Sequence, residues 1–219
     1  AEYMTRQHGL RVYLVGSDYI YPYESNRIMS DFILERPGGV KLGERYVRLN
    51  AVAADFKPII QDIKDKRPDF IFSTVVGSGT RLLYEAYAEA GLDPSRMPIA
   101  SLTTCEAEVS EMGAGVASGH LTAAPYFQAI DNPVNRDCLA RFRTLHGHEV
   151  EPNMCWEAAY FQVHMVARAL RLSGSDQIDR LLPHLLGSEY DAPQGRVRID
   201  PSNHHTRLYP RIGRVGDDG

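Results

Sequence analysis

The chain has 219 residues, 43% of them hydrophobic, with 24 basic against 28 acidic side chains for a formal charge of −4. That length and apolar content suffice for one large or two small packed domains and argue against disorder. No Lys/Arg run is long enough to track a phosphate backbone, and no apolar stretch approaches the roughly 20 residues that cross a bilayer, so direct nucleic-acid binding and a membrane span are both disfavoured.

In chain order, "AEYMTRQHG" reads as the last turns of a helix closed by Gly9, and no charged segment followed by an apolar export signal opens the sequence. From Arg11 to Ala124 short apolar runs ("RVYLVG", "GVKLGERYVRLN", "DFIFSTVV", "PIASLT", "GHLTAA") alternate with helical spacing. The clearest helix carries Phe56, Ile59, Ile60 and Ile63 at i, i+3, i+4 and i+7, with Asp55 placed to cap it. Runs such as "FIFSTVV" lack polar alternation, which suits strands covered on both faces. The predicted fold is therefore α/β, a mostly parallel sheet flanked by helices.

After Pro125 the pattern turns helical. "NPVNRDCLARFRTLHG" and "CWEAAYFQVHMVARALRLSG" read as helices, the second with Trp156, Ala159, Tyr160, Val163, Val166, Ala167 and Leu170 on one stripe and Gly174 as its stop. In "DQIDRLLPHLLG" Pro183 is expected to bend the helix or end it early. The tail alternates at Val197 and Ile199 and again at Leu208, Ile212 and Val215, predicting two short strands around a "DPSN" turn. The expected division is an α/β ligand-binding lobe over 9–125, a helical segment over 126–189, and a β-hairpin over 190–219 returning to the lobe.

Ligands of open parallel sheets bind beyond the carboxyl ends of the strands. Here those ends are "GSDYIYPYES", "STVVGSGT" and "SLTTCEAE", rich in hydroxyls and without Lys, Arg or His. Tyr19, Tyr21 and Tyr23 crowd around Pro22, either as aromatic walls of a pocket or as a loop cluster packed on neighbouring helices. A pocket built from these stretches suits a small uncharged polar molecule better than a phosphate or a dicarboxylate. "GSGT" lacks the third glycine of a dinucleotide fingerprint, having Leu82 there, and lacks the Lys of a Walker loop.

Cys105 before Glu106 raises the alternative of a cysteine-dependent, amide-processing enzyme, but no histidine is placed by sequence to serve it, and His120, at the start of a strand, reads equally well as an ordinary polar residue or as a partner. The three cysteines, Cys105, Cys138 and Cys155, show no disulfide or zinc spacing. His146 with His148 and His204 with His205 lack companion ligands. Asp18, Glu24 and Glu106 form no marked acid pair. No cofactor and no metal are expected.

Together "GSDYIYPYESN", "FSTVVGSGT", "PIASLTTCEAEV", "APYF", "WEAAYFQ" and "DAPQGRVRID…NHHTRL" resemble the amide- and urea-binding branch of the type I periplasmic binding-protein superfamily, which includes an amidase-operon regulator and urea-transporter binding proteins. The resemblance implies two α/β lobes closing on a solute without catalysis, with this chain covering mainly the second lobe. It places ligand contacts on Tyr21, with Tyr19 as the alternate, and on Thr103 in the "SLTT" stretch, where Thr104 is the neighbouring candidate. It implies a small neutral amide or urea as ligand. The partner would be an antiterminator protein in the cytoplasm for a regulator, or an ABC permease at the periplasm or cell surface for a transporter component. It also places the helix from Cys155 to Leu172 against the first lobe, so that a fragment exposing its stripe is expected to self-associate, for example as a homodimer.

Overall fold

The computed structural model describes residues 1–217, which fall into two compact units, 1–123 with the segment from Ile212, and 124–211. In the first unit the elements run α1 (Glu2–Gln7), β1 (Arg11–Ser17), α2 (Ile20–Leu34), β2 (Val40–Val47), α3 (Ala53–Lys66), β3 (Phe70–Thr74), α4 (Ser78–Glu89), β4 (Ile99–Ser101), α5 (Glu106–Met112), α6 (Ala114–Ala117) and β5 (Leu121–Ala124). The segment β9 (Arg211–Arg214) completes the sheet, whose order among the described residues is β2-β1-β3-β4-β5-β9. The pairs β1–β2, β1–β3, β3–β4 and β4–β5 are parallel, with Val12 opposite Phe70, Ile71 opposite Ile99 and Ala100 opposite Leu121. The predicted α/β class and mostly parallel sheet are what the chain adopts.

Alternation along the strands divides the core. Tyr13, Val15, Ile71 and Ile99 point to one face and meet Phe56, Ile60 and Ile63 of α3 and Leu83, Tyr84 and Tyr87 of α4. Val12, Leu14, Phe70, Phe72, Ala100 and Leu121 point to the other and meet Met4, Met29 and Ile33 of α1 and α2. A period of two along strands buried on both sides produces the near-continuous apolar runs seen in the sequence. Asp55 acts from inside the first turn of α3, its carboxylate accepting the Val52 N–H at 3.1 Å.

The second unit holds α7 (Pro133–His146), α8 (Met154–Ser173), α9 (Ile178–Leu185) and the antiparallel strands β6 (Glu189–Ala192), β7 (Gly195–Ile199) and β8 (Thr206–Arg207). Asn132 caps α7 by accepting from the Asn135 N–H, and Asn153 caps α8 by accepting from the N–H groups of Cys155 and Trp156. Gly174 closes α8 in the left-handed conformation, at φ 61°.

Three details bear on the sequence reading. The buried stripe of α8 is Glu157, Phe161, Met165 and Ala169, of which Phe161 and Met165 share a core with Ala192 and Val197. The predicted apolar stripe lies round the helix from it, and Val163, Val166 and Leu170 are exposed. As expected from Pro183, which removes one backbone donor and crowds the preceding turn, α9 ends early, at Leu185. The tail forms more than the two expected strands: β7 and β8 flank the "DPSN" turn, while β9 leaves to join the large sheet.

Candidate functional site

The carboxyl ends of β1, β3 and β4 lie side by side in the sheet order, and hydroxyl groups stitch them together. Ser17 Oγ, at the end of β1, accepts the Val76 N–H beyond β3 at 3.1 Å. Beyond β4, the Thr103 hydroxyl donates to the Val75 carbonyl at 2.6 Å, and the Leu102 N–H bonds the Ser73 carbonyl at 3.2 Å. Parallel strands leave their last backbone groups without ladder partners, and short hydroxyl side chains satisfy them without adding charge.

After β1 the chain turns directly into α2, with Tyr19 extended at its N-cap and Tyr21 and Tyr23 in its first turn. Pro22 is tolerated there because first-turn N–H groups have no intrahelical acceptor. Tyr19 and Tyr21 approach with ring centroids 6.0 Å apart, and Tyr21 is 36% exposed. Tyr23 faces elsewhere: its hydroxyl donates to Asp18, which raises its pKa, and its ring lies 4.4 Å from that of Tyr46. The crowded tyrosines thus divide into an aromatic pair, Tyr19 with Tyr21, and a bracing one, Tyr23.

After β3, Gly77 takes φ 62° at the N-cap of α4, a conformation that glycine adopts without strain. The Thr80 hydroxyl donates back to the Val75 carbonyl at 3.0 Å.

After β4, Ser101 Oγ accepts the N–H groups of Thr103 at 3.0 Å and Thr104 at 3.1 Å, and the Thr104 hydroxyl at 2.9 Å. Thr104 is buried and its oxygen also bonds the Tyr84 hydroxyl at 3.2 Å, so of the two candidate threonines Thr103 is the one partly open to solvent. Burial pushes the Tyr84 phenol up to about 12. Thr103 and Thr104 are thus brought together through Ser101, and Tyr19 and Tyr21 through their rings. One strand, β3, separates the end that carries Tyr21 from the end that carries Thr103. Ser101, Tyr84 and the Val75 carbonyl escaped the sequence reading. Ser101 is the last residue of β4, and only the fold places Tyr84 of α4 beside it.

Cys105 is a buried N-cap residue of α5, 3% exposed. His120 is not a partner for a thiolate. Its ring is buried between Tyr84 and Tyr87, with centroids 4.8 Å from each, and its Nδ1 accepts the Ile99 N–H at 3.0 Å. Desolvation lowers its pKa to about 4. Among the described residues no group of three or more His, Cys, Asp or Glu side chains is arranged to hold a metal ion, and no helix is long and apolar enough to cross a membrane.

A family model described as a periplasmic binding protein domain matches residues 1–219. The Leu/Ile/Val-binding protein homolog 6 of Brucella suis is 28% identical over 179 residues, covering 79% of this chain and 46% of that protein. A solute binding protein of an ABC transporter from Rhodopseudomonas palustris HaA2, solved in complex with p-hydroxybenzoic acid, superposes with a TM-score of 0.87 at 24% identity over 97% of this chain and 58% of that one. A leucine-, isoleucine-, valine-, threonine- and alanine-binding protein from Brucella ovis in its closed conformation gives a TM-score of 0.80 at 18% identity, over 97% of this chain and 54% of that one. The chain thus spans about half the length of the relatives it matches.

Proposed function

The chain belongs to the periplasmic binding protein domain family, and from that premise we propose that it supplies one jaw of a non-catalytic clamp for a small neutral solute of the amide or urea class. The observation that carries this reading is the chemistry of the strand ends. Thr103, Tyr19 and Tyr21 offer hydroxyls and aromatic surface, and the stretches following β1, β3 and β4 contain no Lys, Arg or His. An aromatic acid, such as the one bound by the Rhodopseudomonas protein, brings a carboxylate that such an edge leaves without a cation. A primary amide brings a donor and an acceptor, both neutral, which hydroxyls satisfy.

Tyr21 and Thr103 are the proposed contacts, with Tyr19 as the aromatic neighbour of Tyr21. The proposed lobe is the α/β region over 9–125, to which the C-terminal segment returns. The transporter names of the relatives favour the transport role over the operon regulator, so the proposed partner is an ABC permease and the proposed site of action the periplasm or cell surface. Solute binding would favour a closed arrangement that the permease reads.

Isothermal titration calorimetry of the complete polypeptide with acetamide, butyramide, urea, leucine and 4-hydroxybenzoate tests the reading. Heat with a neutral amide or urea and none with 4-hydroxybenzoate is expected. Binding confined to leucine or 4-hydroxybenzoate would overturn it.

A further inference from the structure

The hydrogen bonds around Ser101 have a direction. A carbonyl cannot donate, so the proton of the Thr103 hydroxyl is committed to Val75 at 2.6 Å. The Thr104 proton is committed to Ser101 Oγ at 2.9 Å, so in the 3.2 Å contact between Thr104 and Tyr84 the phenol is the donor. Ser101 Oγ already accepts from the Thr104 hydroxyl and from two backbone N–H groups, three donors sharing its two lone pairs, so it has no capacity left to accept from Thr103. Because the Thr103 proton is spent on Val75, Ser101 is the donor in its 3.3 Å contact with Thr103 Oγ1. The result is a one-way chain, Tyr84 to Thr104 to Ser101 to Thr103 to the Val75 carbonyl. Hydrogen bonds aligned in this way polarise one another, and reversing any member would leave a buried donor facing a donor.

We propose that this chain fixes Thr103 as an acceptor toward the solute, so that the group bound there must be an N–H or O–H donor and a carboxylate oxygen is refused. Thr103 is the partly exposed end of the chain, and of the two lone pairs on its oxygen Ser101 takes one and the other is left. An amide NH2 or a urea nitrogen satisfies that lone pair; a carboxylate sets lone pair against lone pair. Ser101 and Tyr84 touch no solute in this scheme and act as positioning residues that set the polarity. The inference rests on the amide-clamp reading for the place of the solute, while the polarity rests on the hydrogen bonds alone.

The test uses the full-length protein with the isosteric pair propionamide and propionate. Wild type should prefer propionamide. Thr103→Val should weaken propionamide about tenfold, the value of one hydrogen bond lost to a neutral partner, and should narrow the propionamide-to-propionate preference. Thr103→Ser, which keeps the hydroxyl, should restore both. An unchanged preference in Thr103→Val overturns the proposal. If wild type binds neither probe, the amide-clamp reading fails, and the polarity is then decided by NMR of the unliganded protein. A Thr103 hydroxyl proton slow to exchange, and made fast by Ser101→Ala, supports it; a proton exchanging at the solvent rate in wild type overturns it.

Discussion

Glu157 of α8 accepts two hydrogen bonds from Gln194 in the β6–β7 turn, from the backbone N–H to Oε1 at 3.2 Å and from the side-chain amide to Oε2 at 2.7 Å. Both residues are fully buried, and burial raises the Glu157 pKa against the pull of those donors. The Gln194 carbonyl in turn accepts from Arg211 at 2.7 Å, and the same guanidinium bonds the carbonyls of Pro125 and Tyr209. Removing the carboxylate strands two buried donors, so Glu157→Ala should cost roughly 3 kcal/mol of stability, read as a lower urea midpoint with an unchanged slope.

His120 makes stability depend on pH. Its folded pKa of about 4 lies below the ordinary 6.5, so between those values the unfolded chain binds more protons, and folding is weakened as pH falls through 6.5 toward 4. The loss should reach about 2 kcal/mol at pH 5 relative to pH 7.5. Glu157 acts in the opposite sense, because its raised pKa makes stability fall as pH climbs above the carboxylate range. Comparing wild type with His120→Gln isolates the histidine: denaturant unfolding of the variant should lose that part of the slope. An identical pH profile in the two proteins would refute the assignment.

Gly16 is closed to any larger side chain. A Cβ there would stand 2.7 Å from Thr74 Oγ1 and 2.8 Å from Pro22 Cβ. Gly16→Ala should therefore destabilise by about 1–3 kcal/mol and push on the first turn of α2, where Tyr21 sits. Thermal unfolding reads the first effect. Weaker solute binding by the folded fraction reads the second.

Tyr21→Ala in the full-length protein should weaken binding of the preferred solute by roughly 1–3 kcal/mol if ring and hydroxyl both hold it. Tyr23→Phe, which removes only the exposed bond to Asp18, should leave affinity within a factor of about two. Equal losses in both variants would mean that the tyrosine pair has been divided wrongly.

Thiol labelling separates the clamp from a cysteine enzyme. Cys155 is exposed, whereas Cys105 and Cys138 are buried. Iodoacetamide at neutral pH should modify Cys155 first and reach the other two only as denaturant opens the fold. Rapid labelling of Cys105 in the native protein would revive a nucleophilic role.

The strands of the parallel sheet were legible because burial on both faces leaves a plain mark, uninterrupted apolar runs of strand length. The chemistry at their ends was legible as composition. What sequence cannot carry is direction: that Thr103 spends its proton on Val75, and that Thr104 turns inward to Tyr84, depends on residues 28 and 20 positions apart meeting in space. The buried side of α8 was hidden from the sequence for a related reason. Apolar residues occupy most of that helix, so periodicity alone does not say which side meets the hairpin, and the buried side includes a glutamate that pattern reading treats as solvent-facing.

The position of β9 has a consequence for how the molecule is made. β5 ends at Ala124, and its outer neighbour in the sheet begins at Arg211. During synthesis the β5 edge must wait, unpaired, while the ribosome delivers the whole of the intervening unit. An open edge of this kind invites pairing with another nascent chain. Translation pauses or truncations before residue 211 should accordingly yield aggregates, whereas chains that include β9 should cover the β5 edge and stay dispersed.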